Sequence, residues 1–186
     1  KYFSNTQKLA KISFREAIEL SYYGASVIHP KTIKPLQNKA IPLYVKSFLN
    51  PTEEGTIIQE SVTYDNLVPS YIFKENQLLV SISPRDFSFI VEENMRDIFE
   101  LLHQFKIKIN LMQNSAISFS ICVDNDASKI QRFIEAISEE YAVKYNEDLK
   151  LLTIRHYNDQ VIQQLVNSND VLVEQKSRHT VRFVMK

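Results

Sequence analysis

The period of the apolar positions switches between strand-like and helical along the second half of the chain. "LLVSIS" (Leu78 to Ser83) reads as a strand. Met95, Ile98, Phe99, Leu102 and Phe105 then recur at helical spacing. "IKINLMQ" alternates Ile107, Ile109 and Leu111 against Lys108 and Asn110, and "ISFSICVD" alternates Ile117, Phe119, Ile121 and Val123 against Ser118, Ser120 and Cys122. Asp124 or Asp126 offers an N-cap to a second helical stripe of Ile130, Phe133, Ile134 and Ile137, and "YAVKY" closes the series as a strand. The order β-α-β-β-α-β predicts an α+β, split-βαβ unit with helices on one face of an antiparallel sheet.

The pattern then starts again. "LKLLTIRH" is a strand, Val161, Ile162, Leu165 and Val166 mark a helix, and "DVLVEQKSRHTVRFVM" repeats "KINLMQNSAISFSICV". Gln113 and Ser115 match Gln175 and Ser177 at a shift of 62 (175 − 113), and Phe119, Ile121 and Val123 match Val181, Phe183 and Met185 at the same shift. This points to a duplicated unit whose second copy stops after its third strand.

The first 60 residues have a different texture. "SFRE" predicts a capping box, with Ser13 accepting from the N3 amide and Glu16 reaching back. Phe14, Ala17, Ile18 and Ser21 share one helix face, and Gly24 falls where a left-handed C-cap belongs. Pro30 suits the first turn of a second, short helix that Pro35 is expected to cut. "IPLYVKSF" reads as a strand and "NPTEEGT" as a turn. Both glycines, Gly24 and Gly55, lie here, and the 131 residues after Gly55 (186 − 55) contain none. The turn-formers therefore belong to one early piece and the repeats to another.

Composition narrows the function. Lys plus Arg equal Asp plus Glu at 22 each. A broad nucleic-acid footprint needs clustered excess cation, and RNA-binding split-βαβ sheets need exposed aromatics, so nucleic acid is not expected as a partner. No apolar run approaches the ~20 residues of a membrane helix. The lone Cys122 excludes an internal disulfide and fits a cytoplasmic protein. His29, His103, His156 and His179 show no metal-ligand spacing. Cys122, mid-strand, reads as a structural thiol. The opening "KYFSN", without Met or signal pattern, reads as the interior of a longer protein.

The early piece carries a resemblance. Gly24, Ala25, Val27, Ile28, His29 and Pro30, then Ile41–Pro42, Asn50–Pro51 and Gly55–Thr56, resemble the end of the catalytic domain of aspartokinases, including those fused to homoserine dehydrogenase. The rest of the chain is similar to the tandem ACT modules that regulate these kinases. The resemblance implies residues 1–60 as the end of the kinase domain and 77–147 as a first ferredoxin-like ACT domain. It assigns 68–76 plus 148–186 to a second, because in the family the first module is inserted into the second. It further implies a transferase making 4-phospho-L-aspartate from ATP and aspartate, with ATP and Mg serving the full-length enzyme and no cofactor in this chain. The lysine and glycine-rich segment of the kinase would lie upstream, so no catalytic residue is expected here and the isolated chain is predicted inactive. Ser26 and Val27 remain as nucleotide-proximal positions, with Ser26 standing where a lysine is common.

By the same resemblance, an inhibitory amino acid such as lysine or threonine binds where first modules pair in a homodimer. Lys108, Ile109 and Asn110 on strand 2, with Asn114 and Ser115 in the following turn, are the positions carried over. Two departures stand against this. "SPRDFSFIVEEN", the loop between strand 1 and helix 1, lacks the usual glycine, and neutral Asn110 replaces a common acidic residue. A dimerisation module with degenerate pockets is thus the alternative, with Lys108 and Asn110 as solvent-side residues of an amphipathic strand.

Overall fold

The computed structural model describes residues 6–25, 28–60, 65, 68–166 and 170–186. It contains two compact units, one of Lys1–Ile72 with Ile154–Asn158, the other of Phe73–Thr153 with Asp159–Lys186.

In the first unit, β1 (Lys11–Ser13), α1 (Phe14–Tyr23), α2 (Pro30–Asn38), β2 (Leu43–Val45) and β3 (Thr56–Gln59) come in chain order. Their sheet has the order β1-β3-β2, with β3 parallel to β1 and antiparallel to β2. Ile12, Phe14, Ala17, Ile33 and Ile58 form its core. Only half of the expected capping box exists. Ser13 Oγ accepts from the Glu16 amide at 2.9 Å, but the Ser13 amide donates to Asp65 Oδ1 at 2.8 Å, which leaves the Glu16 carboxylate free to turn elsewhere. Gly24 caps α1 in the left-handed region at φ 113°. Pro35 does not end α2, which continues to Asn38. The missing amide bond is offset by burial of Ile33 and by Leu36 packing on the core.

The larger sheet is built from β4 (Ser70–Pro84), β5 (Ile109–Asn114), β6 (Phe119–Asp124), β7 (Tyr141–Arg155), β8 (Val171–Lys176) and β9 (Thr180–Met185). The helices α3 (Glu92–Gln104), α4 (Ala127–Ile137) and α5 (Asp159–Leu165) connect them. Strand order is β5-β6-β4-β7-β9-β8. From the middle outward, this is the ferredoxin-like order twice over, with β4 and β7 long enough to serve both halves. Each long strand fuses two segments read separately from the sequence: residues 69–76, which the resemblance assigns to the second module, with "LLVSIS" in β4, and "YAVKY" with "LKLLTIRH" in β7. Inside them, Asn76 (φ 52°) and Asp148 (φ 55°) sit in the left-handed region, where Asn and Asp are tolerated better than most residues. On β6, the register of β4 covers Gln77 to Ile82 only.

Strand alternation produces two cores. Leu78, Val80 and Ile82 point to the face covered by α3 and α4, joining Ile98, Leu102, Ile130 and Phe133. Leu79, Leu111 and Cys122 point to the other face, where they meet Leu149, Leu151 and Val184. Both faces of this sheet therefore carry buried residues.

The repeat is visible in the backbone. A register break between Ile109 and Leu111 makes Asn110 a bulged residue on β5, and a break between Val171 and Val173 does the same to Leu172 on β8. These positions are 62 apart (172 − 110). The two hairpin turns match as well: Ser115 N donates to Ser118 O and Ser177 N to Thr180 O, each at 2.8 Å.

Candidate effector site

The bulge decides what β5 presents. An inserted residue reverses the in–out alternation that precedes it. Lys108 is exposed and Ile109 half-buried, but Asn110 is buried, not on the solvent side as plain alternation implies. Its side-chain amide is fully used. Oδ1 accepts from Lys74 Nζ at 2.9 Å, while Nδ2 donates to Gln77 Oε1 and to Asp124 Oδ1, both at 2.8 Å. Gln77 Nε2 also donates to Asp124 Oδ1 at 2.8 Å, and Lys74 Nζ lies 3.9 Å from that oxygen. Arg182 Nη2 donates to the Asn110 backbone carbonyl at 2.6 Å.

Asp124 carries the network's negative charge. Burial raises its pKa, but hydrogen bonds from Gln77 and Asn110 and the charges of Lys74 and Lys108 outweigh that and hold it below the ordinary value. Cys122 Sγ lies 3.6 Å from Gln77 Oε1. Burial pushes this thiol up to about 12, far from the range of a nucleophile.

Asn114 and Ser115 are exposed at the far end of β5. Five residue steps separate Asn110 from Ser115, roughly 16 Å along an extended chain. Ser115 closes the turn to Ser118, with the two hydroxyls 2.8 Å apart. The glycine-free loop after β4 docks on this hairpin through Ile90 N to Ala116 O at 2.9 Å. It reaches a left-handed conformation at Phe87 (φ 62°) without glycine, leaving that ring 82% exposed. Ser88 N bonds Asp86 Oδ1 at 3.0 Å, and Arg85 Nη2 bonds the Ser138 carbonyl at 2.6 Å.

The structure thus gathers Asn110 with Lys74, Gln77, Asp124 and Arg182, none of which local pattern singles out for a site (Asp124 reads only as a possible N-cap), while Asn114 and Ser115 stand apart with the aromatic loop. The nucleotide-proximal positions Ser26 and Val27 lie outside the described residues. An open groove of about 310 Å³ between α3 and the end of α4 is lined by Asp97, Glu100, Glu139 and Glu140, among others, and by none of the effector positions. Among the described residues no group of three or more His, Cys, Asp or Glu is placed to hold a metal ion. No described helix is long and apolar enough to cross a membrane.

No family model matches this sequence. Curated relatives do. The bifunctional aspartokinase/homoserine dehydrogenase of Haemophilus influenzae is 32% identical over 142 residues, 75% of this chain and 17% of that protein. The chain belongs to the aspartokinase family. Solved aspartokinases share its fold. Clostridium acetobutylicum aspartate kinase superposes with a TM-score of 0.80 at 20% identity, over 98% of this chain and 46% of that one. E. coli aspartokinase III in complex with lysine and aspartate superposes with 0.76 at 19% identity, over 96% and 43%. This aspartokinase segment therefore spans less than half of each of these chains, and its repeated sheet is the tandem ferredoxin-like ACT fold of the family's regulatory region.

Proposed function

We propose that this chain is the regulatory C-terminal part of an aspartokinase that makes 4-phospho-L-aspartate from ATP and L-aspartate. In this reading it senses a pathway end-product amino acid, lysine or threonine, and mediates dimerisation. Residues 1–60 end the catalytic domain, 77–147 form the first ACT domain, and 68–76 with 148–186 form the second. Ser26 and Val27 lie near the nucleotide, whereas ATP and Mg are handled by the rest of the full-length cytoplasmic enzyme. The supporting observation is the doubled sheet order with bulges and turns repeated 62 residues apart, in a chain of this family. The solved E. coli relative was captured with lysine and aspartate. Here Lys108, Ile109 and Asn110, with Asn114 and Ser115 in the following turn, would form the effector site, with Lys108 to Asn110 facing the loop after the first ACT strand of the other subunit across the two-fold axis of a homodimer.

The alternative, a dimeriser with degenerate pockets, is favoured by one feature: the Asn110 amide is already committed to Lys74, Gln77 and Asp124. Assay of aspartyl hydroxamate formation decides between them. The 186-residue chain alone should give only background. The intact enzyme should be inhibited by millimolar lysine or threonine, a coupling of ~1–3 kcal/mol. An intact enzyme indifferent to both supports the dimeriser. Light scattering of the chain should report twice the monomer mass, and a clean monomer refutes the assembly.

A further inference from the structure

The bulge that carries Asn110 is held from the other repeat. Asn110 has no partner opposite it on β6, since Ile109 faces Val123 and Leu111 faces Cys122. A buried backbone carbonyl at such a point needs a donor. Arg182 of β9 supplies it at 2.6 Å, and its Nε lies 3.4 Å from Thr153 Oγ1 on β7. In the β8–β9 ladder, Arg182 pairs with Gln175, and Gln175 Nε2 donates to the Met112 carbonyl at 3.4 Å. Two neighbouring side chains of the second repeat thus grip two carbonyls of β5, at residues 110 and 112. The Arg182 bond is charge-assisted and buried, so it is the stronger of the two.

We propose that Arg182 is a positioning residue for amino-acid recognition: with help from Gln175, it fixes the bulged shape of β5 and so the placement of Lys108 to Asn110. The inference rests on the effector-sensing reading of this chain. It makes the second repeat a scaffold for the first repeat's strand, not a mere spacer. It also gives a reason for an arginine amid the apolar run "TVRFVM".

Calorimetric titration of the 186-residue chain with L-lysine and with L-threonine tests it, using the unaltered chain, Arg182→Lys, Arg182→Met and Gln175→Ala. Arg182→Met should weaken binding about tenfold or more, the scale of one buried charge-assisted hydrogen bond. Arg182→Lys, which keeps a cationic donor, should recover most of that loss even though both variants melt earlier than the parent. Exposed Gln175→Ala, which keeps the fold, should weaken binding by about threefold. Unchanged affinity in a folded Arg182→Met chain overturns the proposal, and so does equal weakening by Lys and Met. Should Arg182→Met not fold, unchanged affinity in Gln175→Ala overturns it instead. A parent chain that binds neither amino acid is a separate result: it refutes the effector reading itself, and the positioning role with it.

Discussion

The guanidinium of Arg155 grips the carboxylate of Glu16 through two hydrogen bonds, Nε to Oε1 at 2.9 Å and Nη2 to Oε2 at 2.6 Å, across 139 residues of sequence. Glu19 Oε2 lies 3.2 Å from Nη1, and His156 Nε2 lies 3.1 Å from Glu16 Oε2. Both partners of the central pair are buried. The carboxylate freed from the capping box thereby ties α1 to the end of β7 within the first unit.

Removing one member of a buried pair leaves the other without compensation, which typically costs about 3–5 kcal/mol. Arg155→Met should lower the denaturant midpoint strongly. Glu16→Gln should do the same, and the double variant Glu16→Gln/Arg155→Met should lose less than the sum of the singles. Urea unfolding of the four proteins measures this, and strictly additive losses would show the pair to be uncoupled.

The same residues set an acid limit. Burial raises the Glu16 pKa, but the hydrogen bond and charge of Arg155, with those of His156, bring it below the ordinary 4.5. Asp124 is likewise held below 3.8. A carboxyl with a depressed folded-state pKa stabilises the fold fully above its unfolded value, and that contribution is lost as pH falls through the folded value. Stability should therefore be flat in these groups from neutral pH down to about 5 and fall below that. In Glu16→Gln or Asp124→Asn the fall between pH 5 and 3 should be shallower. Urea midpoints taken across that range check it; a fall as steep as the parent's in both variants would assign the acid loss to other groups.

Gly55 is a sharper case than its position in a surface turn implies. Its φ is +72°, and an added Cβ would lie 2.3 Å from the Val45 carbonyl oxygen. Backbone cannot yield there as a flexible side chain could. Gly55→Ala should destabilise the first unit by more than the ~1–2 kcal/mol of a left-handed non-glycine residue alone. Thermal unfolding of that variant gives the number.

Much of the fold was legible in the sequence, for physical reasons. The helix stripes and strand alternations of residues 78–145 gave the elements because each side chain's environment obeys a local period. Gly24 and the 62-residue shift did the same for the cap and the duplication. Other features had no local signal. The three-residue strand β1 is too short to show a period, and Asp65 accepts from the Ser13 amide 52 residues away. Asn110 reads as solvent-facing because alternation cannot reveal an inserted residue. The pairs Arg155–Glu16 and Arg182–Asn110 join distant segments. Their one trace is compositional: an arginine ending or interrupting an apolar strand, where a charge is expensive unless it is paired.

Cys122 offers a direct probe of the second unit. With its thiol buried and pushed up to about 12, it should resist a neutral-pH disulfide reagent in the folded chain and react promptly in urea. Labelling rates measured by mass spectrometry report this, and rapid labelling without denaturant would show that the core around Leu79 and Leu149 opens readily.

Amino-acid sensing by the paired repeats is tested most directly by calorimetric titration of the 186-residue chain with L-lysine and L-threonine. Saturable heat with one of the two, at a midpoint in the micromolar to millimolar range, is the predicted result. A dimeric, folded chain that gives only heats of dilution with both would contradict it and leave a structural dimeriser.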